Sequence, residues 1–197
     1  MRKMPTLYER EQVGRKSLAV PRVNPECQWV LDGEGRATEK FDGTCCAVID
    51  GRLYARHALK EGKPMPQGWV HWSRNPEQRS GHGWRPVSDG PEDGRHRQAW
   101  DSAEPGDWAD GTYELVGPKI QKNPYGLLAP QLWLHGSGTL DAPTGFQDLD
   151  LWLAEHYLEG VVWHHPDGRM AKIKRRDFDI PWPGKRRAAP QPEGGAE

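Results

Sequence analysis

Apolar positions along this chain come in short runs broken by Gly, Pro, Asp and Asn, a rhythm of strands and turns with one helical exception. Cys45 to Asp50 is apolar and β-prone, and after Asp50-Gly51 a second run extends from Arg52 to His57. Asp-Gly between two such runs predicts a hairpin. A two-residue turn there sets Arg56 opposite Cys45, just past a loop that carries Lys40. Thr112 to Val116 reads as a strand with Glu114 in an apolar setting, where a carboxylate needs a partner. Asn123-Pro124-Tyr125-Gly126 reads as a turn and Gln131 to Leu134 as a further strand. Glu159 to His164, the turn Pro166-Asp167-Gly168 and Met170 to Lys174 form a second hairpin. In its return strand Lys172 and Lys174 share one face and Ile173 takes the other. A symmetric turn centred on Pro166-Asp167 sets Glu159 opposite Lys174. The exception is Thr144 to Leu158, a predicted helix. Leu149, Trp152, Leu153, His156 and Tyr157 form its apolar stripe, Thr144 its N-cap, and Asp148 and Asp150 suit its first turns. That stripe reads as core.

The remaining stretches are less regular. Residues 1–26 are polar and read as an extended arm with a short helix near Tyr8. Residues 60–110 are irregular and rich in Gly, Pro, Trp and His; a stretch of that length tends to be functional or partly structured. Trp69, Trp72 and Trp84 are assigned to the core, with stacking on bases as the alternative. His71, His82 and His96 show no metal-ligand spacing. Residues 184–197 read as a disordered tail, leaving 27–183 as the main domain.

Composition narrows the class. The 197 residues include 23 Gly, 18 Pro and 10 Trp and carry a formal charge of -1, which argues against coating nucleic acid through bulk charge. The charge is uneven: acids are frequent from Glu77 to Asp110, while Lys172, Lys174, Arg175, Arg176, Lys185, Arg186 and Arg187 cluster near the end, where a local patch can contact phosphates. No apolar run of about 18 residues predicts a membrane span, and no signal peptide is visible. Cys27, Cys45 and Cys46 make an odd set without a Cys-x-x-Cys. Adjacent cysteines in a strand point to opposite faces, so reduced thiols and a cytoplasmic protein are expected, without a structural zinc site.

The chemistry centres on Ala37-Thr38-Glu39-Lys40-Phe41-Asp42-Gly43-Thr44. A lysine held where a strand begins is either half of a surface pair with Asp42 or a nucleophile. A nucleophilic amine must first lose its proton, which burial and neighbouring cations promote.

Lys40-Phe41-Asp42-Gly43, Arg56, Glu114, Glu159-Gly160-Val161-Val162 and Lys172-Ile173-Lys174 stand in an order that resembles the covalent nucleotidyltransferases: ATP-dependent RNA and DNA ligases and mRNA capping enzymes. Thr38 to Cys46, Tyr113 to Gly117 with Asn123 to Leu127, and Glu159 to His164 more closely resemble the 5′–3′ RNA ligases found in vertebrates, with bacterial and phage relatives. The resemblance covers roughly residues 25 to 183. It implies an α+β fold, a nucleotidyltransferase (ATP-grasp-like ligase) core of twisted, mainly antiparallel sheets with few helices and the nucleotide between them; no OB domain is expected, since no stretch remains for the one that DNA ligases and capping enzymes usually carry. Lys40 would take AMP from ATP as a lysyl-AMP, pass it to an RNA 5′-phosphate, and a 3′-hydroxyl would displace it. Lys172 and Lys174 are implied as catalytic contacts to the α-phosphate that also favour the neutral Lys40 amine, and Glu159 as the ligand of Mg²⁺ (or Mn²⁺). Arg56 and Glu114 are implied to hold ribose and phosphate oxygens, Glu39 to present its backbone to adenine, and Asp42 with Gly43 to fix the loop. The implied partners are ATP and RNA ends; no membrane association and a monomeric state are expected. The alternatives are a capping-type guanylyltransferase or DNA ligase-like enzyme, and a non-catalytic nucleotide-binding RNA sensor.

Overall fold

The computed structural model describes residues 4–71, 81–104 and 106–183. The tail, Trp72 and the basic residues Lys185 to Arg187 lie outside the described residues. Among the described residues, eleven strands and few helices give a mixed α+β fold in which the ladders between named strands are all antiparallel.

The chain begins with a hairpin, β1 (Tyr8–Val13) and β2 (Lys16–Val23), so the helix expected near Tyr8 is a strand. Its outward residues are polar and its turn is made by Gly14 at φ 60°, which leaves little apolar alternation to read. Thr6 bridges in parallel to Lys172, and Leu7 is fully buried. A short helix, α1 (Gln28–Leu31), carries Trp29 and Val30 into the same core.

Three strands then form the smaller sheet: β3 (Arg36–Lys40), with β10 (Gly160–His164) in the centre and β11 (Met170–Lys174) on the far side. Residues directly opposite one another share a face. One face, with Ala37, Val161, Trp163, Ala171 and Ile173, is core. It packs against α3 (Phe146–Glu155), whose Leu149 and Leu153, one turn apart, are both fully buried. This helix is shorter than the expected Thr144 to Leu158. Gly145 is its N-cap, the Thr144 carbonyl accepts the Tyr8 hydroxyl, and His156 is already extended. Arg175 explains the stop: its buried guanidinium donates to the Leu153 and His156 carbonyls, satisfying acceptors that the helix end leaves open. Arg175 is therefore no part of an exposed basic patch.

The larger sheet has six strands in the order β6 (Val70–His71), β7 (Gly81–Pro86), β5 (Arg52–Leu59), β4 (Thr44–Ile49), β8 (Gly111–Val116), β9 (Gln131–Leu134). Asp50 and Gly51, at φ 50° and 67°, make the two-residue turn, and the pairing Cys46 to Ala55 is the predicted register. One face buries Cys46, Val48, Leu53, Tyr113, Leu115 and Leu132 under α2 (Gly94–Trp100). Cys45 and Glu114 lie opposite each other on the other face. Trp84 is buried as expected, and Trp69 packs edge-on to His57 and His71.

Candidate nucleotide site

Lys40 to Thr44 is the crossing from the smaller sheet to the larger, so whatever holds this segment also holds the two sheets in register. Its backbone is pinned at three points. The Asp42 amide donates to the Tyr125 hydroxyl at 2.7 Å, the Gly43 amide to Glu114 Oε1 at 3.0 Å, and Gln121 Nε2 to the Gly43 carbonyl at 3.3 Å. A Cβ on Gly43 would stand 2.2 Å from the Leu115 carbonyl oxygen, so the approach to β8 requires glycine. Asp42 accepts the Trp182 indole N–H at 2.8 Å. Burial raises its carboxyl above the ordinary range, and the indole bond offsets part of that.

Gly160 is paired with Lys40 on one side and Lys174 on the other, so the two lysines share the outer face of the smaller sheet across a residue with no side chain. Lys172 lies on that face opposite Val162, whose other neighbour across the sheet is Thr38. The hairpin differs by one residue from the expected register: Lys174 faces Gly160 rather than Glu159, because the connection His165 to Arg169 has five residues and centres on Asp167. Glu159 nonetheless reaches both amines. Its Oε2 lies 2.5 Å from Lys40 Nζ and its Oε1 2.9 Å from Lys174 Nζ, and its carboxylate is only 2 % exposed. The two lysines therefore meet through a carboxylate that stands between them.

The opposing face of the larger sheet brings Glu114, Trp133 and Cys45 together. Trp133 pairs in register with Glu114 and packs edge-on to Phe41 at 5.0 Å. Burial pushes the Cys45 thiol up to about 12, with Glu114 adding to the rise and Arg56 and Lys40 opposing it. The register Cys46 to Ala55 sets Arg56 opposite Cys45. Contacts tie the two sheets together: Arg36 donates to the Gly136 and Gly138 carbonyls.

Glu39 does not share the face of Lys40. It lies with Val161 at the end of the core face, and burial raises its carboxyl to about 7. A carboxyl raised on folding contributes stability at low pH that is lost as pH climbs from its ordinary 4.5 through about 7. Glu39→Gln should therefore melt above the parent protein at pH 8, by on the order of 1–2 kcal/mol after solvent screening at this half-buried position, and match it near pH 4. Thermal unfolding at both values checks this; equal melting at pH 8 would contradict it.

Among these groups, Glu39, Lys40, Asp42, Gly43, Arg56, Glu114, Glu159, Lys172 and Lys174 were legible in the sequence. His135 and the stacking role open to Trp133 were not, because only sheet order brings β9 beside β8. His135 Nε2 lies 2.7 Å from Glu114 Oε2 and its Nδ1 3.0 Å from Thr112 Oγ1.

A family model described as RNA ligase 1 matches residues 97–192, the part that carries Glu114, Glu159, Lys172 and Lys174; Lys40 and Arg56 precede it. RNA ligase 1 of Mus musculus is 27% identical over 225 aligned positions covering 75% of this chain and 68% of the mouse protein. RNA ligase 1 of Pongo abelii is 28% identical, covering 74% and 68%. RNA ligase 1 of Danio rerio is 34% identical over a shorter stretch of 87 residues, 27% of its length. The chain is thus similar to proteins named RNA ligase 1 in three vertebrates, and their likeness supports an RNA ligase family.

Proposed function

We propose that this chain is an ATP-dependent RNA ligase that joins a 5′-phosphate to a 3′-hydroxyl through lysyl-AMP and RNA-adenylate intermediates, and that its core is that of the nucleotidyltransferases. The observation that carries this reading is the row Lys40, Gly160, Lys174 with Glu159 across both amines. The likeness to proteins named RNA ligase 1 supplies the substrate class.

In this reading the Lys40 amine passes its proton to an acceptor and attacks the α-phosphorus of ATP. Glu159 Oε2 is the carboxylate oxygen in contact with it. A P–N bond forms, the bond to the β-phosphate oxygen breaks and pyrophosphate leaves. An RNA 5′-phosphate oxygen then displaces the lysine, which regains its proton. The 3′-hydroxyl attacks the activated 5′-phosphate, gives up its proton, and AMP leaves. Phosphoryl transfer depends chiefly on in-line placement and on neutralising phosphoryl oxygens. Lys172 and Lys174 supply positive charge on the face that carries Lys40. Arg56 and Glu114 suit phosphate and ribose oxygens, and Trp133 offers adenine a flat partner.

Glu159 is the residue suited to hold Mg²⁺ or Mn²⁺. Its carboxylate is a hard oxygen donor, and loss of the Lys40 charge would weaken the ion pair that Oε2 now makes. The metal would add Lewis-acid stabilisation of phosphoryl charge. Among the described residues no helix is long and apolar enough to cross a membrane. The free thiols of Cys27, Cys45 and Cys46 suit a cytoplasmic setting, and we propose a monomer.

An end-joining assay tests the reading. With ATP and Mg²⁺ the protein should join RNA bearing a 5′-phosphate and a 3′-hydroxyl, and should fail on 5′-hydroxyl ends. Joining confined to nicked DNA, or driven by GTP alone, would overturn it.

A further inference from the structure

Three donors distant in sequence converge on the larger sheet. Cys45 Sγ, a carboxylate oxygen of Glu114 and a ring nitrogen of His135 all lie within 4.8 Å of one another, and all three residues are half-buried. Strand pairing fixes two of them, because Cys45 stands opposite Glu114 in β4 and β8. The third is braced from behind. The His135 amide donates to the Thr112 carbonyl, and its Nδ1 meets Thr112 Oγ1, so Nε2 is turned toward Glu114 Oε2. Glu114 spends its other oxygen on the Gly43 amide. One sulfur, one nitrogen and one oxygen are left within 4.8 Å of one another.

Thiolate, imidazole and carboxylate together suit a borderline cation such as Zn²⁺, which takes three protein ligands and leaves a fourth position open. Hard cations such as Mg²⁺ select oxygen and have no use for the thiol. An oxygen that accepts from the second ring nitrogen fixes the tautomer and orientation of a ligating histidine, and Thr112 Oγ1 stands where it can do so. A thiolate and a carboxylate carry two negative charges, which match a divalent ion. We propose that Cys45, Glu114 and His135 form a Zn²⁺ site whose occupation blocks nucleotide loading of Lys40. On binding, the Cys45 thiol releases its proton to solvent and forms the Zn–S bond. The proton held between His135 Nε2 and Glu114 Oε2 must also leave: in the neutral ring it passes through solvent to Nδ1, which then donates to Thr112 Oγ1, so that Nε2 and Glu114 Oε2 are both free to bind the metal. Metal binding stands on the geometry alone; the block rests on the proposed role of Glu114 toward ATP.

The test uses the full chain in metal-free buffer with Co²⁺ as the spectroscopic probe. A thiolate-to-cobalt charge-transfer band should grow to saturation at one equivalent and vanish on adding Zn²⁺. Cys45→Ser should abolish the band, and Thr112→Ala should weaken Co²⁺ binding roughly 10–100-fold. No band, or an undiminished band in Cys45→Ser, overturns the site. Separately, labelling by α-labelled ATP and Mg²⁺ should be lost when Zn²⁺ is added to the parent protein, and the Zn²⁺ effect should disappear in Cys45→Ser. A band without any Zn²⁺ effect on labelling overturns the block. Absence of labelling even without Zn²⁺ overturns the ligase reading, and the Co²⁺ band still decides the site.

Discussion

Gly160→Ala is expected to cost at least about 3 kcal/mol of stability and to remove sealing, although alanine adds a single methyl group. A Cβ there would stand 2.1 Å from the Ile173 carbonyl oxygen and 2.9 Å from the Lys174 Cα. Both are backbone atoms of the paired strand, so no side chain can swing aside. Relief requires β10 and β11 to part, and that separates Lys174 from Lys40. Overpacking costs about 1–3 kcal/mol where neighbours can yield, so an obstacle made of backbone belongs at the upper end or beyond. Gly94→Ala is the control: it opens α2 with nothing within 4 Å of the added carbon, and should be neutral or stabilising. Urea midpoints of the two variants decide the matter, and an unchanged midpoint for Gly160→Ala would contradict the close approach.

Glu159→Ala should lose sealing and destabilise the fold on the order of 3 kcal/mol. Removing one partner of a buried ion pair typically costs about 3–5 kcal/mol, because the other charge is left uncompensated. Here two ammonium groups lose their shared carboxylate, but both lysines are 22% exposed, so water recovers part of the loss. The double variant Glu159→Ala with Lys174→Ala should be more stable than Glu159→Ala alone and still inactive, since one of the uncompensated cations is gone. Full sealing by Glu159→Ala would break its assignment.

How much of this was legible follows from what fixes each element. Asp50-Gly51 permits one turn geometry, so the register of β4 and β5 could be read, and with it the placement of Arg56. Pro166-Asp167-Gly168 fixes a turn but not the length of the connection, so Glu159 and Lys174 were set opposite each other one residue out of step. The contact survived that error because Glu159 is long enough to reach Lys174 from beyond the strand end. The β1–β2 hairpin was hidden because most of its side chains face water and no apolar alternation marks it. The helix Phe146–Glu155 was drawn too long because periodicity cannot see a distant guanidinium taking its last carbonyls. The Cys45, Glu114 and His135 cluster follows from strand order alone, so no local spacing could announce it.

The central claim is that the Lys40 amine carries the nucleotide, and peptide mapping after incubation with ATP and Mg²⁺ tests it most directly. The account predicts one AMP adduct, on the peptide containing Lys40, and none on any peptide of a folded Lys40→Ala variant. An adduct on another residue, or one that persists in Lys40→Ala, would contradict it.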